Sequence, residues 1–365
     1  MKIVVIAIIT WLATMCANIC LGQKPHNFPE ISQQNERGNF VTDSFTSTLL
    51  NENKIHLNPL RKIYVYLPAS YKSSKRSYPV VFYFHTIVTN PSQLLESSGI
   101  KDLLDKAFNS HLCREFILVV PDCSSPVAGS FYENSPTSGR WLDYITQELV
   151  PFIDAKYRSI PQKESRAAIG DFMGGRGAFV LAMTRPDLFS MVYALHPVAT
   201  GMGNIPWVNM DINWEKIHTA TSFEELAGLG FTSIFLAIQQ AFLPNPDRPP
   251  FYCDFMFEPE NGHMKLNAEN MQKVKDSFLL DHYLQKNRQN LLQLKAIAFD
   301  WGRFDPIQDH VISAEHLSRE LQDMGINHEA EEYAGLPWNK NWSETGRFYT
   351  RVIPFLNRHL KFEGN

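Results

Sequence analysis

The run Ser165 to Ala182, SRAAIGDFMGGRGAFVLA, reads as a strand, a sharp turn bracketed by glycines, and a helix. That layout lifts one side chain clear of a sheet, where hydrolases present a nucleophile to a carbonyl carbon. Other residues with chemical potential are spread along the chain: His85, His196, His263, His310, and Asp305 in a Gly-Arg-Phe-Asp-Pro turn. No HxH, HExxH or CxxC pair occurs, so neither a metal centre nor a cofactor is expected. Beyond residue 22 the three cysteines, Cys113, Cys123 and Cys253, make an odd count. Cys113 and Cys123 flank the run Phe116 to Pro121, which if extended holds them beyond the ~7 Å limit for a bridge, so both read as buried thiols.

Chemistry at such a turn needs a scaffold that brings several loops to one edge. Apolar and β-branched runs recur at Lys62 to Leu67, Val80 to His85, Phe116 to Pro121, Arg166 to Gly170, Met191 to His196, Leu294 to Phe299 and Glu329 to Tyr333. Between them lie helical patterns at Ile100 to Asn109, Gly139 to Tyr157, Gly174 to Arg185, Val311 to Met324 and Thr345 to Leu360. This alternation predicts an α/β fold, a mostly parallel sheet flanked by helices, with any site at the carboxyl ends of the strands. From about Gly201 to Asn290 the rhythm breaks into tryptophans, prolines and two helix-like segments, which reads as a cap insertion over those strand ends.

The elbow segment resembles the esterase family of the α/β-hydrolases, which includes S-formylglutathione hydrolases, feruloyl and acetyl-xylan esterases and mycolyltransferases. Other pieces match in the same order: RKIYVYLPASY (Arg61 to Tyr71), YPVVFYFHT (Tyr78 to Thr86), VVPDCSS (Val119 to Ser125), RPDLFSMVYALHP (Arg185 to Pro197) and FDWGRFDP (Phe299 to Pro306). The resemblance covers about Ile55 to Leu360, is weakest in the cap, and implies an α/β-hydrolase fold acting on carboxylic esters. It also exposes three departures. The family usually reads GHSMGG at the elbow; here Gly170, Met173, Gly174 and Gly175 are kept, but Phe172 stands in the nucleophile's place, preceded by Asp171. A phenyl ring cannot form an acyl-enzyme. After the last strand the family has a glycine and a histidine; Tyr333-Ala-Gly-Leu-Pro-Trp338 puts Pro337 in the histidine's place, so the base is missing too. The glycine-rich oxyanion loop is represented by His85-Thr86-Ile87-Val88, where β-branched side chains replace glycines, leaving the Met173 amide as one remaining donor. The surviving acid is Asp305.

These departures imply an esterase-like protein that binds without turning over, with an acylated carbohydrate or another apolar ligand as partner. The alternative is an ester hydrolase using other groups, with Asp305 and His196 first to test. Asp171 reads as a carboxylate capping the following helix, because Ile169 and Met173 could not flank a turn centred on it. His196 stands where the family usually has a serine; it is either hydrogen-bonded at a strand end or a substitute base. His85 reads as support for its loop, and His263 and His310 as solvated. Phe172, with Trp141, Phe131, Trp207 and Trp338, either lines an aromatic pocket or plugs it, and the residues alone leave both open.

The first residues, 1–22, have the layout of a secretory signal, one lysine followed by an apolar stretch too short to span a membrane. The expected organisation is a signal peptide at 1–22, a flexible segment at 23–54 and a hydrolase domain at 55–365 with its cap at about 201–290; the expected location is secreted or periplasmic, with no membrane span after signal removal. A net charge of -4, from 34 basic and 38 acidic residues well mixed along the chain, disfavours nucleic acid as a partner. Asn341-Trp342-Ser343 is a glycosylation pattern.

Overall fold

The computed structural model describes residues 37–87, 89–201, 210–339 and 341–364. The expected signal peptide and Trp207 lie outside the described residues. An eight-stranded sheet organises the described chain. Its strands are β1 (Asn39–Thr46), β2 (Leu60–Leu67), β3 (Val80–Phe84), β4 (Ile117–Pro121), β5 (Arg166–Asp171), β6 (Met191–Leu195), β7 (Ala296–Gly302) and β8 (Glu329–Tyr333). They lie in the order β1-β2-β4-β3-β5-β6-β7-β8. β2 runs antiparallel to both neighbours, and every pairing from β4 through β8 is parallel.

Alternation along each central strand builds two cores. On β3, Val80, Phe82 and Phe84 face one side with helix α2 (Met173–Thr184) and the helical run 141–156, while Val81 and Tyr83 face the other with α1 (Ile100–Asn109). The buried residues of α1, Ile100, Leu103, Leu104, Ala107 and Phe108, fall on one stripe at helical spacing. Helix α2 is buried along nearly its whole length because the sheet covers one face and cap residues reach the other.

Between β6 and β7 the chain forms a short helix Trp214–Thr219, helix α3 (Phe231–Phe242), a hairpin pairing Phe257–Glu260 with His263–Leu266, and helix α4 (Ala268–Phe278). Their apolar faces, among them Phe235, Ile238, Met256, Val274 and Phe278, cluster with Phe131, Met173 and Val198 near the elbow. No helix among the described residues is long and apolar enough to cross a membrane.

The segment 23–54, expected to be loose, departs from that expectation from residue 39 onward. β1 pairs with β2 along its whole length, from Asn39 opposite Leu67 to Thr46 opposite Leu60. Its polar residues hid it, but they are anchored: Asp43 accepts from Lys156 Nζ at 2.7 Å and the Tyr157 hydroxyl at 2.9 Å. Phe45 packs on Phe152, and Ser47 and Thr48 both bind the Glu148 carboxylate. Leu50 and Ile55 are fully buried. Pairing and side-chain anchors compensate for the weak apolar pattern of an edge strand.

Candidate functional site

The parallel register sets the site. Phe84 pairs with Gly170, Asp171 with Leu195, Leu195 with Asp300, and Gly302 with Tyr333. The loops that leave β5, β6, β7 and β8 therefore emerge side by side at one edge.

At the end of β5 the chain turns through Phe172 at φ 50°, ψ -116°, and enters α2 directly. A positive φ is unusual for an aromatic residue. The Phe172 amide donates to the Leu195 carbonyl at 3.0 Å, fixing the turn to the next strand. Close approach makes two glycines obligatory: a Cβ on Gly174 would overlap the Phe84 carbonyl, and one on Gly170 the backbone of Gly174. The elbow's geometry is intact and carries no oxygen at its tip. Met173 opens α2, so its amide has no intrahelical acceptor.

Asp305 lies in the turn after β7, buried and fully partnered. Its Oδ2 accepts from His196 Nε2 at 2.8 Å and from His310 Nδ1 at 2.9 Å, and its Oδ1 from the Ile307 amide at 2.8 Å. Burial opposes the charge, but the donors from the two histidines outweigh it and hold this carboxyl well below the ordinary range. His196 follows β6 at φ 43° and is fully buried. Its Nδ1 accepts the Gly302 amide at 2.9 Å, which puts its proton on Nε2, facing Asp305. Burial lowers its pKa despite the carboxylate, and an Nδ1 that accepts the Gly302 amide carries no proton, which makes the ring neutral. Both nitrogens are thereby engaged, and the sequence-based expectation of His196 as a substitute base fails on this geometry.

His310, expected to be solvated, is the second partner of the acid. Helix α5 (Gln308–Asp323) begins just after the Asp305 turn and brings it back onto the carboxylate. Among the described residues its Nε2 has no hydrogen-bond partner, and the side chain is partly open to solvent. No secondary-structure period marks this pair in the sequence; an aspartate that opens a helix and a histidine five residues on is the only trace.

The donor atoms of His196, Asp305 and His310 lie within 4.8 Å of one another, a spacing that a transition metal could use. The Gly302 amide argues against it. A histidine ligating through Nε2 needs its proton on Nδ1, and here Nδ1 is an acceptor, so ligation would demand an imidazolate. The arrangement fits a hydrogen-bonded carboxylate.

Pro337 occupies the loop after β8, where the Tyr333 hydroxyl donates to its carbonyl at 3.0 Å. The same loop presents Trp338, 57% exposed, whose ring stacks on Phe172 at 5.9 Å and 23°. The other neighbour of the Phe172 ring is His196, at 5.1 Å. Phe304, also 57% exposed, borders the site, since its amide donates to the Gly335 carbonyl at 3.1 Å. Phe172 is only half-buried.

Of the other aromatic residues expected at the site, one is placed elsewhere and one lies close by. Trp141 sits in the core under the sheet, its Nε1 donating to the Ser138 carbonyl at 2.9 Å, and lines no pocket at the elbow. Phe131 packs edge-on against Phe242 and Phe278 beneath the cap, in the apolar cluster against which Phe172 also packs. Asp171 does not cap α2, which has no side-chain cap at all. It points back toward Tyr83 and Thr86. Burial pushes its carboxyl up to about 6 against the pull of the Tyr83 hydroxyl and the Thr86 amide, and its Oδ1 has no partner among the described residues. His85 Nε2 accepts the Cys123 amide at 3.1 Å, so Nδ1 donates to the Thr86 carbonyl at 2.7 Å; the ring pins the oxyanion loop. Asn341 is buried, which closes the glycosylation pattern in the folded chain.

Strand order, elbow and acid define an α/β-hydrolase. The family model described as "Putative esterase" matches residues 56–345, and the chain belongs to that family. A ferulic acid esterase superposes with a TM-score of 0.58 at 20% identity, covering 89% of this chain and 99% of that one. An S-formylglutathione hydrolase from Agrobacterium tumefaciens gives 0.53 at 14% identity, covering 89% and 97%. By sequence, an esterase of Mycobacterium tuberculosis is 31% identical over 123 residues, 32% of this chain; the match spans 25% of that relative's length.

Proposed function

We propose that this protein is an exported esterase relative that holds an acylated ligand, such as an acylated carbohydrate, across the aromatic mouth of the elbow and forms no acyl-enzyme with it. The observation that carries the reading is the Phe172 ring at the elbow tip, half-buried and stacked on an exposed Trp338. An exposed aromatic pair suits the flat face of a sugar or an aromatic acyl group. With Pro337 in place of a histidine and both nitrogens of His196 engaged, no covalent route is supplied at the elbow among the described residues. Export rests on the signal-like layout of residues 1–22.

The test has two arms. A fluorophosphonate probe should leave the protein unlabelled. Feruloylated or acetylated xylo-oligosaccharides should quench tryptophan fluorescence, and Trp338→Ala should weaken binding at least tenfold while leaving the melting temperature nearly unchanged. Covalent labelling, or binding indifferent to Trp338, sinks the reading.

A further inference from the structure

The carboxylate of Asp305 retains the partner an esterase acid needs, but the imidazole comes from a new place. His310 reaches Oδ2 with Nδ1 at 2.9 Å. A carboxylate acts only as acceptor here, so Nδ1 carries the proton and Nε2 keeps its lone pair, with no hydrogen-bond partner among the described residues. His196 cannot do the same, because the Gly302 amide and Asp305 take both of its nitrogens. The His310 ring lies 6.0 Å from that of His196, which lies 5.1 Å from Phe172, so two ring contacts connect it to the elbow.

We infer that His310 is the proton acceptor of this site, activated by Asp305, and that it drives direct attack of water on a carboxylic ester held at Phe172 and Trp338. The inference rests on the ligand-holding role proposed above. Nε2 of His310 takes a proton from water as the water oxygen bonds to the carbonyl carbon and the π pair moves onto the carbonyl oxygen. The Met173 amide, first in α2, is the donor positioned after the elbow for that oxyanion. The intermediate then collapses, the bond to the alkoxy oxygen breaks, and the proton on Nε2 passes to the departing alcohol. Acid and alcohol account for every atom of ester and water, and no side chain is acylated.

The experiment uses the full chain and methyl ferulate, an unactivated ester that a surface histidine does not cleave appreciably, with acid release followed by chromatography. Wild type should turn over slowly, and neither fluorophosphonate nor a chelator should change the rate. His310→Gln keeps a donor for Asp305 but has no basic nitrogen, and should lose on the order of 100-fold. His310→Ala should lose as much and recover when imidazole is added. Equal rates in wild type and His310→Gln overturn the inference, as does loss of turnover on fluorophosphonate labelling or on chelation. If methyl ferulate quenches tryptophan fluorescence but is never cleaved, His310 is not the acceptor, while the ligand-holding reading stands. Absence of binding removes both.

Discussion

Replacing Asp171 by asparagine should stabilise the protein, and only at neutral and alkaline pH. The carboxyl is buried with Oδ1 unpartnered, and is held at about 6 against an ordinary 3.8. Once ionised it therefore costs the fold about 3 kcal/mol, at ~1.4 kcal/mol for each pH unit of displacement. The sign follows from proton counting. Below about pH 3 the group is protonated in folded and unfolded chains alike and costs nothing. Between about 4 and 6 the unfolded chain ionises first while the folded chain keeps its proton, so stability declines as pH rises; above 6 the full cost is present. The carboxamide of Asp171→Asn is neutral throughout. Urea denaturation at pH 3 and pH 8, read by tryptophan fluorescence, should show a variant-minus-wild-type difference growing by about 3 kcal/mol toward pH 8, since contributions from other groups cancel in the subtraction. A difference independent of pH, or one that shrinks as pH rises, refutes the reasoning.

Arg176→Met should cost about 3 to 5 kcal/mol in the same assay, because Arg176 is fully buried and its loss strips Glu133 of its ion-pair partner. Arg176 also donates to the Phe278 carbonyl at 2.7 Å and the Phe131 carbonyl at 3.2 Å, so the loss should loosen the cap and speed proteolysis around Phe278. Phe172→Ser with Pro337→His should show no serine-esterase activity while His196 and His310 both hold Asp305 Oδ2; adding His310→Ala should free the oxygen for the new histidine and allow fluorophosphonate labelling at residue 172.

The elbow was legible because its glycines are imposed by backbone contact, and such a requirement shows in composition: Gly170 and Gly174 have no room for a Cβ, whatever stands between them. The central strands were legible because burial on both faces makes them uniformly apolar. β1 was not, since an edge strand held by Asp43 and its partners needs no apolar run. Asp171 misled for a related reason: an acidic residue before a helix usually caps it, but the elbow turns this one under the sheet toward Tyr83, a contact with no sequence signature. Trp141 was assigned by type, and an aromatic ring serves a core as readily as a pocket. His310 was missed because its meaning depends on where the Asp305 turn ends, which only the folded chain reveals.

The altered site also follows a logic of its own. A buried carboxylate that loses its hydrogen-bond donor is costly, on the order of 1 to 3 kcal/mol or more. With proline at 337, Asp305 would have faced that cost; instead two imidazole N–H groups and the Ile307 amide satisfy it, and its pKa is held down accordingly. His196 achieves this as a sealed, neutral prop. His310 achieves it with one nitrogen still unpartnered among the described residues, which a purely structural repair would not require. If satisfying Asp305 were the whole purpose, an asparagine or glutamine donor at 310 would serve as well, and a variant carrying glutamine there would match wild type in every respect. The expectation that His310→Gln keeps the fold and loses the chemistry is thus the point at which repair and reuse of the old acid part company.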